Sequence, residues 1–289
     1  MKDAGERATD AIMRDLEKRI GTIYAGALKG MIRDNANFLQ KIADVDAGII
    51  KPHPFYNTPA KVAKWRAGFT REAIRQDGVV AKIVKRLQAA GDASRPELVA
   101  TRTKVYRANR AFTVDAISRK AGGKISFNQY DKRQIDILLS EQETPFIKIA
   151  YRNLGSNPAV VRRLTSELAQ ATIKGEGQPD IIKRIRAVTG QSQYQAQRVA
   201  QTERTRVQSQ ARYDVGTEAE KLGLKVVKTW SARMVNTRDT HAALDGTTIP
   251  HDQPFVTIDG NELMYPCDPS APAEEVIQCH CALITDVEV

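Results

Sequence analysis

Aromatic residues are scarce in this sequence, at 6%, and its 289 residues include only three cysteines and four histidines. A small, odd number of cysteines argues against a disulfide scaffold and favours a reducing compartment. No run approaches the roughly 18 apolar residues that a membrane span needs, so we expect no membrane partner. The first ten residues, MKDAGERATD, lack the apolar core of a secretory signal, and none is expected.

Charge is distributed unevenly along the chain. The formal net charge is +10, yet residues 223–289 contain four Lys and Arg against ten Asp and Glu. Residues 1–222 therefore hold 40 basic and 24 acidic side chains, a net charge of +16. A basic body favours a polyanion partner, chiefly nucleic acid, although solvated helix faces rich in Lys and Arg would give the same composition.

Apolar residues recur at helical spacing through most of the first 222 residues, and Ala, Ile, Leu and Val dominate them. This spacing predicts that helices pack on helices in the body of the protein. The predicted helices are one long amphipathic helix that runs to Val45, one that begins at Thr58-Pro59, one over residues 131–152, one that begins at Asn157-Pro158, a short one that ends at Gly190, and a long one from Ala196 to Leu222.

The pattern changes after Gly223. Short β-branched runs appear, Asp259-Gly260 predicts a hairpin, and VIQCHCALI (276–284) predicts a final strand. We therefore expect an α+β fold, with mainly long α-helices in the body and a small β-rich C-terminal unit. Three parts are predicted: a basic helical region at 1–122, a helical lead-in with a long helix at 123–222, and an acidic β-rich unit at 223–289.

Potential metal ligands are concentrated near the C-terminus, where the last 49 residues hold all three cysteines and three of the four histidines. Alternation along a strand would place Cys279 and Cys281 on one face and His280 on the other. The two thiols could bind zinc together with His241, and Cys267 could complete four ligands. Structural zinc more often uses two residues between cysteines, so thiols that simply pack in a core, or a redox pair, remain alternatives.

The loop RDTHAALDG contains groups that can act as acid, base or phosphate holder, namely Arg238, His241 and Asp245. A metal-dependent nuclease or hydrolase that uses His241, Asp245, Cys279 and Cys281 is therefore an alternative function. The sequence has no Gly-rich phosphate loop, nucleophile elbow or HExxH pattern, and a loop of this composition can satisfy its own hydrogen bonds. We therefore expect that the protein is not an enzyme.

The stretch RTKVYRANRAF (102–112) mixes basic and aromatic side chains. Such a mixture suits phosphate contact and base stacking, but it also suits an ordinary helix with an apolar stripe. The candidate nucleic-acid contacts are Arg102, Lys104, Arg107 and Arg110.

The order of motifs in the second half of the chain resembles the phage Mu F-like head morphogenesis family, the minor head proteins of tailed phages. Its pattern is a Thr-Glu helix, a Trp strand, Arg-x-x-His followed by Leu-Asp-Gly, a Phe, a Pro-rich turn and a terminal Cys-Arg-Cys. No single motif is specific, whereas the ordered set is. The matching positions are Thr202, Glu203, Trp230, Arg238, His241, Leu244, Asp245, Gly246, Phe255, Pro266, Cys279 and Cys281.

The resemblance implies a structural protein that is present in a few copies in the virion, in the head interior or at the portal vertex, and in the host cytoplasm during assembly. Its implied role is head (procapsid) morphogenesis. Its implied partners are the portal protein, a capsid or scaffold protein and packaged double-stranded DNA. The basic body at residues 1–222 fits contact with DNA or with an acidic protein surface.

The chain departs from the family pattern at two positions. Gln201 stands where the family has Arg before Thr-Glu, and His280 stands where it has Arg between the cysteines. If the family Arg pairs with an acid such as Glu203, that pairing is lost or remade in this chain. Cys267 is not part of the pattern, which weakens it as a fourth zinc ligand.

Overall fold

The computed structural model describes residues 2–123, 125–130, 132–141, 145–155, 157–234 and 237–288. The helices are α1 (Ala4–Asp34), α2 (Ala36–Asp46), α3 (Pro59–Gln76), α4 (Val79–Lys120), α5 (Lys132–Glu141), α6 (Pro145–Gly155), α7 (Pro158–Lys174), α8 (Gln178–Lys221), α9 (Asp239–Ala242) and α10 (Ala273–Val276). The strands are β1 (Val226–Ser231), β2 (Thr248–Pro250), β3 (Phe255–Val256), β4 (Glu262–Leu263) and β5 (Ala282–Val287).

This arrangement confirms the predicted α+β class, because long helices form the body and the strands found among the described residues all follow residue 225. Helix α8, with 44 residues, and α4, with 42, are the longest. Within the described ranges, no helix combines the length and the apolar character that crossing a membrane requires.

The chain forms two compact units, each assembled from separate stretches. Unit 1 contains residues 1–18, 96–150 and 197–289, and unit 2 contains residues 19–95 and 151–196. The predicted division into three parts, with boundaries after residues 122 and 222, describes consecutive stretches of sequence. It stays a prediction.

Unit 2 has an aliphatic core. Two of its helices begin with polar residues that their sequences predict: Thr58 Oγ1 accepts a hydrogen bond from Lys61 N, and Asn157 Oδ1 accepts one from Ala159 N at 2.9 Å. A proline at the first helical position follows each cap, where its missing N–H costs nothing. The buried core residues are Met31, Phe38, Leu39, Ile42, Ala73, Val79, Ile83, Leu87, Val160, Leu164, Leu168, Ala171, Ile181, Ile185 and Val188.

Unit 1 contains the β-rich part. Strands β2, β1 and β5 form an antiparallel sheet in that order, and residues of β1 are alternately buried and half-buried. Trp230 of β1 lies opposite Leu283 of β5 in this sheet. The predicted hairpin at Asp259-Gly260 is confirmed, because β3 and β4 pair around it and Gly260 adopts a φ of +81°.

Several predicted boundaries are wrong. The first helix breaks at Asn35, which is buried and whose amide donates to Met31 O, so α2 is a separate helix. The expected helix at 131–152 is two helices, α5 and α6, and residues 142–144 lie outside the described residues. Gly190 ends no helix: α8 runs through it, since an exposed helical glycine costs only about 1 kcal/mol, which packing readily offsets.

Candidate functional site

The candidate site lies where the short helix α9 meets the segment before β5. Trp230 occupies the centre of the small core of the β-rich part and is fully buried. Its ring lies edge-on to Phe255 at 5.2 Å and to His241 at 5.0 Å between centroids. These edge-to-face contacts fix the orientation of the His241 imidazole.

Arg238 fixes the start of α9. Its guanidinium donates to two backbone carbonyls, to Glu275 O at 2.9 Å and to Ile277 O at 2.6 Å. It thereby satisfies carbonyls at the end of α10 that the helix leaves without partners. The arginine of the motif thus attaches one motif segment to another, and both donated hydrogen bonds go to protein carbonyls rather than to a phosphate.

His241, Cys279 and Cys281 come together in the interior. Nδ1 of His241 lies 3.5 Å from Cys279 Sγ and 3.6 Å from Cys281 Sγ. The three residues are only 1%, 2% and 4% exposed. Among the described residues these three form the group of potential metal ligands that the structure assembles. The prediction that the two thiols point to the same side is correct.

The prediction that the whole of VIQCHCALI is a strand is wrong. Val276 ends α10, and β5 begins at Ala282, after both cysteines. The segment between them is not a strand, yet it still places its side chains alternately. His280 points away from the cluster and is exposed, with Nδ1 3.2 Å from Gln201 Nε2. The two positions at which this chain departs from the family pattern therefore contact each other.

Glu275 is a residue of the site that the sequence analysis missed. Its buried carboxylate lies 2.9 Å from His241 Nε2. The same carboxylate accepts hydrogen bonds from Thr240 Oγ1 at 3.0 Å and from Asn261 Nδ2 at 3.2 Å. Nothing in the sequence distinguishes it from its neighbour Glu274, which is exposed; only the turn of α10 does so.

The thiols of the cluster have raised pKa values. Contact with the Cys267 thiol, together with burial, raises the pKa of Cys279 well above its usual range. Contact with Cys279 and burial raise the pKa of Cys281, although His241 acts in the opposite direction. Without a cation the thiols are neutral, and neutral buried thiols are poor nucleophiles. This chemistry disfavours a redox or catalytic role for the pair.

Helix α8 holds the cysteine segment through hydroxyl groups. Thr202 Oγ1 accepts a hydrogen bond from Gln278 N at 3.2 Å, and Thr205 Oγ1 donates to Cys279 O at 2.7 Å. Thr202 was predicted as a motif residue, whereas Thr205 was missed. The sequence contained a signal for it, since Thr205 lies three residues after Thr202, on the same face of the helix.

Glu203 is buried and shared by two arginines. Arg206 Nε donates to it at 2.7 Å and Arg102 NH1 at 3.1 Å. Burial alone would raise the pKa of this carboxyl, but the two guanidinium groups outweigh burial and lower it. Glu203 therefore does have arginine partners in this chain, and they come from α4 and α8.

The prediction that Arg102 and Arg110 contact nucleic acid is wrong. Both side chains are buried, and each is paired with a carboxylate: Arg102 with Glu203, and Arg110 with Glu218 at 2.8 Å. Lys104 and Arg107, on the opposite side of α4, are exposed. The contacts of these two with nucleic acid stay a prediction.

Asp245 lies apart from the His–Cys cluster. Its Oδ1 accepts a hydrogen bond from Ala232 N at 2.8 Å, and Gly246 follows it with a φ of +77°. Gly246 N in turn donates to Trp230 O at 2.9 Å, so the Asp-Gly pair closes the turn that leads into β2. The acid–base set that the alternative hydrolase would need is not assembled among the described residues.

Comparisons with known proteins agree with the resemblance seen in the motifs. The NAD(+)–arginine ADP-ribosyltransferase EFV of Enterococcus faecalis (strain ATCC 700802 / V583) is 32% identical over 130 residues, or 45% of this chain. The chain spans about a quarter of the length of that relative, since the match covers 26% of it. No solved structure matches the chain. The model of the Phage Mu protein F like family matches residues 162–284, so this segment of the chain is similar to that family.

Proposed function

We propose that this chain is a minor head protein that acts in phage head morphogenesis at or near the portal, where it contacts portal or capsid proteins and packaged DNA. One observation carries the proposal: the polar motif residues of the family segment bind other protein atoms and so attach the segments of the fold to one another. Thr202 and Arg238 bind backbone atoms of the segment at 275–278, Asp245 binds Ala232 N, and His241 faces the two thiols. Residues used in this way support an architectural role.

The name of the enterococcal relative includes an enzymatic activity, but most of that protein lies outside the match. An arginine ADP-ribosyltransferase activity is therefore a second candidate only through that name. Among the described residues, no acid–base group in the His–Cys cluster is open to solvent, which favours the architectural role over catalysis.

Procapsids test the proposal directly. In cells that express the phage head genes with and without this chain, we expect the chain to sediment with procapsids and the yield of filled heads to fall when it is absent. Mass spectrometry of gradient fractions measures both. The chain's absence from procapsids, together with an unchanged head yield, would contradict the proposal. NAD⁺ consumption with arginine-containing acceptors, measured on the same purified chain, would support the transferase instead.

The DNA contact can be tested separately. Lys104→Gln with Arg107→Gln should weaken duplex binding and reduce the slope of log K against log salt by about 2, since each phosphate contact contributes about 0.9. Lys221→Gln with Lys225→Gln is the matched control, because both lysines are exposed and lie beside the acidic C-terminal part. Equal losses in the two double variants would show that the RTKVYRANRAF face has no special role.

A further inference from the structure

Two cysteine thiols lie close to the same histidine nitrogen in the interior of the β-rich part. Cys279 Sγ and Cys281 Sγ both approach Nδ1 of His241, at 3.5 Å and 3.6 Å. A neutral imidazole protonated at Nε2, the nitrogen that faces Glu275, offers a single lone pair at Nδ1. That lone pair can accept one S–H hydrogen bond, and the second thiol then lies near Nδ1 only through its contact with the first thiol.

A metal ion explains both contacts. In a tetrahedral zinc centre with Zn–S of about 2.3 Å and Zn–N of about 2.05 Å, the nitrogen and each sulfur lie about 3.6 Å apart. The two observed distances match that separation. One imidazole nitrogen and two thiolates are soft donors that suit Zn²⁺ and disfavour Mg²⁺ or Ca²⁺. A bound cation would also hold the two thiols in their thiolate form, which is the form that binds a metal.

We propose that the chain binds one Zn²⁺ through His241 Nδ1, Cys279 Sγ and Cys281 Sγ, with Glu275 as a positioning residue on the far side of the imidazole. A carboxylate on the second nitrogen of a ligand histidine fixes its tautomer and increases its basicity. Burial of all three ligands indicates a structural ion that joins α9 to the chain before β5. This site goes beyond the head-protein role and does not depend on it.

Cys267 is a candidate for the fourth ligand. It is fully buried, and its thiol contacts Cys279 while donating weakly to Val276 O at 3.4 Å. Its backbone adopts a φ of +63°, a conformation that non-glycine residues seldom adopt outside constrained sites. The thiol would have to turn away from the carbonyl to reach an ion. Either Cys267 or a water completes the coordination, and the thiolate count distinguishes the two.

Metal content is the first measurement. The full chain, purified under reducing conditions, is expected to carry about one zinc per chain by elemental analysis, and Cys279→Ser or Cys281→Ser should lose it. His280→Ala is the matched control, since it lies between the cysteines, points away and should keep the metal. A chelator should lower Tm of the wild type by at least about 5 °C, and added Zn²⁺ should restore it.

Reconstitution with Co²⁺ keeps the test informative even where a serine variant misfolds. Wild-type protein should develop tetrahedral d–d absorption and a thiolate-to-cobalt band. That band falls by about a third in Cys267→Ser if Cys267 is the fourth ligand, and it is unchanged if water is. The proposal is overturned if the wild type shows no stoichiometric zinc, no cobalt band and no change of Tm with chelator.

The role of Glu275 can be tested with a substitution of the adjacent residue as the control. Glu275→Gln should bind zinc roughly 10- to 100-fold more weakly in competition with a chromophoric chelator, while the cobalt spectrum keeps its tetrahedral form. Glu274→Gln, one residue away and exposed, should bind as the wild type does. Equal affinities in the two variants would remove Glu275 from the site and leave the three ligands in place.

Discussion

Unit 1 and unit 2 fill their interiors with different kinds of side chain. Among the described residues, every buried charged side chain belongs to unit 1, including Arg102, Glu203, Arg206, Arg212 and Lys228. The buried polar residues of unit 2 are all uncharged, namely Asn35, Thr70, Ser94, Thr172, Thr189 and Ser192. The aliphatic core depends on area and shape, whereas the charged core also depends on each ion keeping its partner.

This difference predicts unequal tolerance of substitutions that preserve volume. An apolar core accepts a side chain of similar size at small cost, because no interaction in it is directional. A buried ion pair does not, because removing the charge of one partner leaves the other ion in a medium of low dielectric constant. The four predictions below test this contrast, from the largest expected effect to the smallest.

Glu203→Gln in unit 1 should destabilise the protein by about 3–5 kcal/mol, since Arg102 and Arg206 lose the anion that they share. Leu164→Met in unit 2, an equally conservative change at a fully buried position, should cost less than about 1.5 kcal/mol. Urea denaturation measures both values. Hydrogen exchange should show faster exchange around Glu203 in the first variant. Comparable losses of unfolding free energy in the two variants would show that the two cores do not differ in their tolerance of substitution.

Gly216 and Gly190 provide a second contrast within one helix, α8. A Cβ on Gly216 would lie 2.7 Å from His251 Nδ1 and 2.9 Å from Thr285 Cγ2, whereas a Cβ on Gly190 would meet nothing within 4 Å. Gly216→Ala should therefore cost about 2–3 kcal/mol by overpacking. Gly190→Ala should stabilise the protein by up to about 1 kcal/mol through helix propensity. Thermal unfolding followed by circular dichroism measures the change in stability of each variant. A Gly216→Ala variant that is more stable than the wild type would show that the His251 side chain moves aside at little cost.

His251 should make unit 1 sensitive to acid. Burial first, and then the positive charge of Lys228, lower its pKa to about 4, although Asp252 and a backbone contact with Tyr213 act in the opposite direction. The unfolded chain therefore binds more protons between pH 6.5 and 4, so stability is complete above pH 6.5 and falls as the pH drops. We expect a loss of about 2 kcal/mol between pH 7.5 and pH 5.

The variant His251→Gln isolates this contribution. It keeps a polar group that can reach Thr217 Oγ1, which lies 3.1 Å from His251 Nε2, but it removes the titrating ring. The difference in urea midpoint between pH 7.5 and pH 5 should shrink in the variant. An unchanged difference would assign the acid sensitivity to other groups, such as the buried carboxylates of unit 1.

The sequence predicts unit 2 better than the interior of unit 1. Helical spacing identifies Leu164 and Leu168 as core residues, because the hydrophobic effect acts on each of them independently. The pairing of Glu203 with Arg102 joins residues 101 positions apart, and no local pattern encodes it. Arg102 was for that reason included among the candidate nucleic-acid contacts. The composition gives the number of basic side chains, but it does not show which of them form ion pairs in the interior of the fold.

The His–Cys site shows the same division. Alternation of side chains along an extended segment predicted that Cys279 and Cys281 face one way, and the concentration of His and Cys near the C-terminus added His241. Glu275 could not be predicted, because its role depends on how α10 is placed against α9. The ligand types of a site can thus be recognised in a sequence, while the groups that orient the ligands need the fold.

The smallest expected effects concern the helix caps of unit 2, where its polar residues contribute through local hydrogen bonds. Asn157→Ala should cost about 1 kcal/mol or slightly more, since Asn157 caps α7 and also donates to Gln195 Oε1 at 2.7 Å. Thr58→Ala should cost about 0.5 kcal/mol, because its cap bond is longer, at 3.3 Å, and exposed. Thr58→Ser keeps the hydroxyl and should be nearly neutral. Urea midpoints of the three variants test this order. A cap variant that loses as much stability as Glu203→Gln would show that unit 2 also depends on polar interactions.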